Sequence, residues 1–300
     1  MNGREKGFLL LTSQLGNPER KPLSVAQFRT LASRVRSAEK PETDRELVQE
    51  DLTALGYSRE MADRILRLLE ERQLLEYYLS KGKQYGCIPL TRAGQQYPLR
   101  VRKYLGDDSP GCLWAKGNID ILRRPCISLV GSRELHEENR RFAEQVGLQA
   151  ARQGFVLVSG NARGADKTAQ EACLRSGGSV ICVVADSLEK HRQKDSVLYL
   201  SEDGYNNAFS SHRALSRNRI IHSLGQITFV AQSSLGTGGT WDGTVRNLKA
   251  GWSKVCCFDD GSEAAKELEQ MGARLISYDQ LMDWEPLLTE TENLFDCIEL

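Results

Sequence analysis

Apolar side chains recur three and four positions apart along the first 80 residues. They predict short helices over Val25–Ser37, Arg45–Leu55, Met61–Leu69 and Leu74–Tyr78. The run Leu55-Gly56-Tyr57-Ser58 punctuates the series: Gly56 stops one helix and Ser58 caps the next, with Glu60 and Asp63 near its N-terminus. Residues 1–80 are therefore expected to form a small all-helical domain. Pattern alone leaves open whether it packs, binds a partner or touches DNA.

The texture changes over residues 81–125. Gly, Pro and Tyr become frequent, as at Gly82, Gly86, Pro89, Tyr97-Pro98 and Pro110-Gly111, and apolar runs shrink to Cys87–Leu90 and Cys112–Ala115. An extended connector packed on the next domain is expected here. From residue 126 a regular alternation begins. Strands are predicted at Cys126–Val130, Phe155–Val158, Val180–Ala185, Val197–Leu200, Ile227–Ala231, Val255–Phe258 and Arg274–Ile276. Helices are predicted between them at Glu137–Gln153, Asp166–Arg175, His212–Ser223, Thr240–Ala250 and Glu263–Met271. The first three strands are nearly continuous apolar runs, as expected when helices cover both faces of a sheet. Residues 126–283 thus predict an α/β domain with a doubly wound, mostly parallel sheet, whose ligands bind beyond the carboxyl ends of the strands. The stretch 284–300 is acidic and is expected to be a helical or disordered tail.

Composition narrows this only modestly. Forty basic and forty acidic residues cancel over 300 positions, so the net field neither favours nor excludes a polyanionic partner. Eight cysteines show no CxxC pair, and several lie inside predicted strands, which points to reduced thiols rather than a disulfide framework or zinc site. The apolar run Phe8–Leu11 is too short for a signal peptide, and no segment reaches the length of a membrane span. A soluble cytoplasmic protein is expected.

The chemistry concentrates in loops that leave predicted strands. Gly131-Ser132-Arg133 follows one strand and precedes a helix, where unpaired backbone N–H groups and the helix dipole favour an anion. Ser132 can donate through its hydroxyl, and Arg133 can fork onto two phosphate oxygens. In Ser159–Asp166, Gly160 and Gly164 allow close backbone approach, and Ser159 and Arg163 supply donors. Asp166 is expected to cap the following helix rather than to act as a base. Thr237, Gly238, Gly239 and Thr240 offer a third anion nest ahead of a helix, with a flexible surface loop as the plainer alternative. Arg213 and Arg217 share a helix face beside Asn218 and Arg219, with Leu215, Ile220 and Ile221 turned to the core; this predicts a phosphate track.

Other chemistries find no support. Four histidines lack metal spacing, no P-loop or nucleophile elbow is present, and no acidic residue ends the second strand to hold a dinucleotide's ribose. No cofactor and no metal are expected. Two alternatives stay open. One is a sensor for a free nucleotide. The other is a nucleoside-monophosphate phosphoribohydrolase, but there Gly243 stands where the catalytic carboxylate belongs and Asp242 comes one residue early.

Together the segments Leu129–Arg133, Ser159–Ala169, Ser201-Glu202, Ser216–Ile221, Gly238–Thr240 and Gly251 resemble the DNA-processing protein A (DprA/Smf) family in order and spacing, over roughly residues 50 to 260. The resemblance implies a Rossmann-like domain after a helical, SAM-like one. It also implies binding of single-stranded DNA without catalysis, homodimerisation, and transfer of the strand to the general recombinase in DNA uptake, recombination or a related defence role. The family's DNA-facing positions carry over to Arg133, Arg163 and the basic stretch Lys190–Lys194, including Lys190 and Arg192. The chain departs from the family pattern at Gln170, Gln232 and Gly243-Thr244.

Overall fold

The computed structural model describes residues 1–38, 47–202 and 204–289. Five helices open the chain: α1 (Gly3–Thr12), α2 (Val25–Ser37), α3 (Gln49–Ala54), α4 (Arg59–Glu70) and α5 (Arg72–Gln84). Ser58 caps α4 as expected, its side chain accepting from the Met61 amide. The predicted start of α3 at Arg45 lies outside the described residues. The helix α1 was not among those predicted; the run Phe8–Leu11, too short for a signal peptide, belongs to it, with Leu9 and Leu10 buried where it packs against α4 and α5. A separate small core gathers Leu23, Leu31, Leu52, Ala62, Ile65 and Leu68.

The expected connector is more than a connector. Residues 81–125 supply β1 (Cys87–Thr91), α6 (Leu99–Leu105) and β2 (Cys112–Gly117). Both strands join the sheet antiparallel, β1 on β2 and β2 on β6 (Val197–Glu202). The reason lies in side chains the Gly/Pro texture masked: Leu113, Trp114 and Ala115 are fully buried. The Trp114 ring lies edge-to-face with Tyr78 on α5, centroids 5.2 Å apart, and tilted against Tyr205 at 4.9 Å, so the helical unit and the sheet share one aromatic cluster. Gly82 brings α5 close enough that a methyl there would press on Trp114.

The remaining elements follow the predicted alternation: β3 (Cys126–Val130), α7 (Glu137–Arg152), β4 (Val156–Ser159), α8 (Ala165–Arg175), β5 (Ser179–Val184), then β6, α9 (Ser211–Ser216), α10 (Asn218–Leu224), β7 (Ile227–Val230), α11 (Gly238–Ala250), β8 (Lys254–Phe258), α12 (Glu263–Gln270), β9 (Arg274–Ile276) and α13 (Glu285–Thr289). They build one nine-stranded sheet in the order β1-β2-β6-β5-β4-β3-β7-β8-β9, parallel from β6 to β9. Successive strand residues feed opposite cores: Ile127 and Leu129 face the layer with Phe142 and Trp284, whereas Cys126 and Val130 face the layer with Ile220 and Trp241. The acidic tail beyond Thr289 lies outside the described residues.

The stretch expected as a single helix over His212–Ser223 is broken at Arg217 into α9 and α10. The break rolls α9 outward, so Leu215, expected in the core, is 47% exposed, while Ile220 and Ile221 are buried.

Candidate nucleic-acid interface

Strand order reverses between β3 and β7, and a cleft of about 420 Å³ opens beyond their carboxyl ends. Four segments wall it: the bend after β3, the loop before α8, the break between α9 and α10, and the turn into α11.

The bend after β3 is tied through its backbone to the segment after β7 and to the start of α8. The Ser132 amide donates to the Gln232 carbonyl at 3.0 Å, and the Ser132 carbonyl accepts from the Ala165 amide at 3.1 Å. Gly164 holds φ at 79°, and a methyl there would collide with the Ser132 and Arg133 carbonyls. Arg133 is thereby projected into solvent at the cleft mouth. It is exposed and, among the described residues, makes no hydrogen bond or ion pair. Arg163, on the loop between β4 and α8, is likewise exposed and without a hydrogen bond or ion pair among the described residues, but it lies outside the cleft wall.

Asp166 does not cap α8. The helix starts at Ala165 with Gly164 before it, and the Asp166 carboxylate turns back to accept from the Gly160 amide at 2.9 Å and the Ala162 amide at 3.1 Å. It ties down the loop rather than the helix. Burial pushes this carboxyl above the ordinary range, against the pull of Arg217 and the two amides. Ser159 is also not a ligand donor as expected: it is fully buried and accepts from the Gln170 amide at 2.5 Å. Gln170, a departure from the family pattern, therefore has a packing role here.

The arginine stretch is not an open track. Arg213 spreads over the carbonyls of Ala185, Asn207, Ala208 and Glu202 and the Ser201 hydroxyl, all within 3.2 Å. Arg219 pairs with Glu202 and with Ser216. Arg217 is buried at the back of the cleft, donates to the Gly160 carbonyl at 3.1 Å, and keeps its Nε without a partner. Its guanidinium fills the space a side chain on residue 160 would need, which is why Gly160 stands there. Burial lowers the Arg217 pKa, opposed by Asp166 and reinforced by Arg133. Of the row, Arg217 and Asn218 border the cleft; Arg213 and Arg219 do not. They act as rivets because carbonyls at the rim reach them first.

Thr237, Gly238, Gly239 and Thr240 close the opposite wall as the N-terminus of a thirteen-residue helix, where unpaired amides and the helix dipole favour an anion. The Asn218 amide holds this turn by donating to the Gly239 carbonyl at 3.0 Å. Sequence reasoning missed Ser233, which borders the cleft and whose buried hydroxyl has no partner among the described residues. No local signal marks it: counted on from the paired Val130 and Val230, Gln232 rather than Ser233 is the counterpart of Ser132. Lys190 and Arg192 are exposed but lie on the crossing loop between β5 and β6, anchored by His191 stacking on Tyr199, and neither borders the cleft. The phosphoribohydrolase positions also diverge: Gly243 is buried against His222, and Asp242 points to the far side of α11. Asp166 is the one carboxylate on the cleft wall among the described residues, and its Oδ2 already accepts from the Gly160 and Ala162 amides.

A doubly wound α/β sheet with an arginine-bearing cleft at its switch point defines a Rossmann-like fold, the cleft lying where such sheets place their ligands. The profile of the family described as DNA recombination-mediator protein A matches residues 89–283, and the chain belongs to that family. It is 31% identical over 186 residues to the DNA processing protein DprA of Streptococcus pneumoniae, covering 58% of this chain and 66% of that one. With the Bacillus subtilis DNA processing protein DprA it shares 27% over 172 residues, 53% of this chain and 57% of that one. The chain thus spans less than two thirds of the length of these relatives. The solved structure of DNA processing protein A from S. pneumoniae superposes with a TM-score of 0.70 at 25% identity, over 97% of both chains. That of DNA processing protein A from Helicobacter pylori, described for its single-stranded DNA binding mode, gives 0.55 at 21% identity over 65% of this chain and 94% of that one. Among the described residues no helix is long and apolar enough to cross a membrane.

Proposed function

We propose that this protein binds single-stranded DNA without catalysing a reaction on it, and serves DNA processing and recombination as its family does. The observation that carries the proposal is Arg133: an exposed, unpaired guanidinium fixed at the mouth of a cleft whose far wall is a helix N-terminus. A phosphodiester seated there would meet Arg133 in front, the buried charge of Arg217 behind and the α11 amides opposite. The H. pylori relative's DNA-binding description supports the same ligand class.

The finer role proposed is delivery of the strand, by a homodimer, to the general recombinase. Fluorescence anisotropy with a labelled single strand, at two salt concentrations, tests the binding. Wild type should bind and weaken steeply with salt; Arg133→Ala should bind at least tenfold more weakly. Affinity indifferent to salt, or tighter binding of free nucleotides than of DNA, sinks the reading. Co-elution with recombinase on a sizing column tests the delivery role.

A further inference from the structure

A second cleft of about 660 Å³ lies beside the first, on the outer side of α11 and across the wall formed by Leu215 and Asn218. Both residues border both clefts. The helix itself links them: Gly238–Thr240 at its start face the first, and Arg246 and Lys249 near its end face the second, along a helix of about 20 Å. Arg246 and Lys249 are three residues apart and so share a helix face. Both are exposed, and neither makes a hydrogen bond or ion pair among the described residues.

The rest of the second cleft suits a nucleobase. Tyr104 and Trp252 border it, with the Arg100 and Lys103 cations over the Tyr104 ring at 4.5 and 5.3 Å. Trp252 is partly exposed, whereas Trp114, Trp241 and Trp284 are buried. Leu215 lies exposed at the junction. Two carboxylates also border the cleft: Asp108 is paired with Arg29, and Asp242 is unpaired. Arg219 borders it too but is committed to Glu202.

We infer that the second cleft is a continuation subsite for the same single strand: Arg246 and Lys249 neutralise phosphates adjacent to the one held in the first cleft, and bases lie against Trp252 and Leu215. The inference rests on the proposed DNA binding. Its grounds are adjacency of the two clefts, which share Leu215 and Asn218, cations without ion pairs among the described residues, and a partly exposed indole whose face accepts any base.

The test measures anisotropy with oligothymidylates of increasing length, over a series of salt concentrations, for wild type, Arg246→Ala/Lys249→Ala and Arg133→Ala. Both cations of the double variant are exposed and uncommitted, so it should melt like wild type. Wild-type affinity should climb with length. The double variant should match wild type on the shortest strands yet lose about tenfold on long ones. Its slope of log affinity against log salt should fall by about 1.4, two phosphates at about 0.7 each. Tryptophan emission should be quenched by long strands only, and Asp242→Asn should tighten long-strand binding. A double variant that weakens at every length alike, or at none, overturns the subsite, as does unmoved tryptophan emission with long strands. No wild-type binding, or Arg133→Ala equal to wild type, overturns the DNA-binding reading itself and the subsite with it. Binding that depends on Arg133 but ignores Arg246 and Lys249 removes the second cleft alone.

Discussion

Two regions carry arginines to the same rim, and they spend them differently. The bend after β3 holds its backbone rigid through Ser132, Ala165 and Gly164 and leaves Arg133 uncommitted. The α9–α10 break does the reverse: Arg213 and Arg219 are absorbed by carbonyls and by Glu202, and Arg217 is buried over Gly160. A guanidinium near unsatisfied carbonyls becomes part of the fold, and one projected from a self-satisfied bend stays available to a ligand. Deleting the first kind should cost stability; deleting the second should cost affinity.

The largest expected effect is that of Arg217→Ala, which leaves the Asp166 carboxylate buried without its nearby positive charge. A loss of about 3 kcal/mol in urea denaturation at pH 7 is expected. The loss should depend on pH. The folded Asp166 pKa is already raised by burial, and removing Arg217 raises it further. The folded variant then keeps a proton that the unfolded chain releases, so its stability falls as pH rises above the ordinary carboxylate pKa. The deficit should therefore shrink toward pH 4. A pH-independent deficit would break the link between the two residues.

Arg133→Ala should show the opposite profile: about 2 kcal/mol less binding energy for a single strand and a melting temperature close to wild type. If it melts early, the contrast between the two regions fails. His222, behind the α10–α11 contact, extends the buried side of the comparison. Burial holds its pKa down to about 3, with Arg217 adding to the effect. The unfolded chain takes up a proton that the folded one refuses, so stability is lost as pH falls below about 6.5. Between pH 7 and pH 5 the loss should be on the order of 2 kcal/mol, and His222→Gln should flatten it in paired urea titrations. The smallest effect belongs to Lys190→Ala/Arg192→Ala. Away from the cleft, it should change stability by less than about 0.5 kcal/mol and leave binding of a short strand unmoved.

The parallel half of the sheet was legible because burial on both faces writes continuous apolar runs, as in Cys126–Val130 and Val180–Val184. The antiparallel edge was not, because Pro89 and Gly111 broke the local pattern while Trp114 held its place through distant partners, Tyr78 and Tyr205. The cleft was legible to the extent that glycine bends follow strand ends. Which donors stay free was not, since that depends on contacts across the sequence: Ser159 with Gln170, Arg217 with Gly160, Arg219 with Glu202. Ser233 escaped because nothing local distinguishes it from an ordinary loop serine.

The close seating of α5 on Trp114 has one more consequence. Only two residues separate α5 from β1, and Gly82 leaves no room for a side chain between helix and ring. The N-terminal helices are thus a flank of the sheet rather than a module swinging on a tether. Excising them would remove Tyr78 and strip the Trp114 indole and the Tyr205 phenol ring of their cover, and the truncated remainder should clump in solution instead of surviving as a working half.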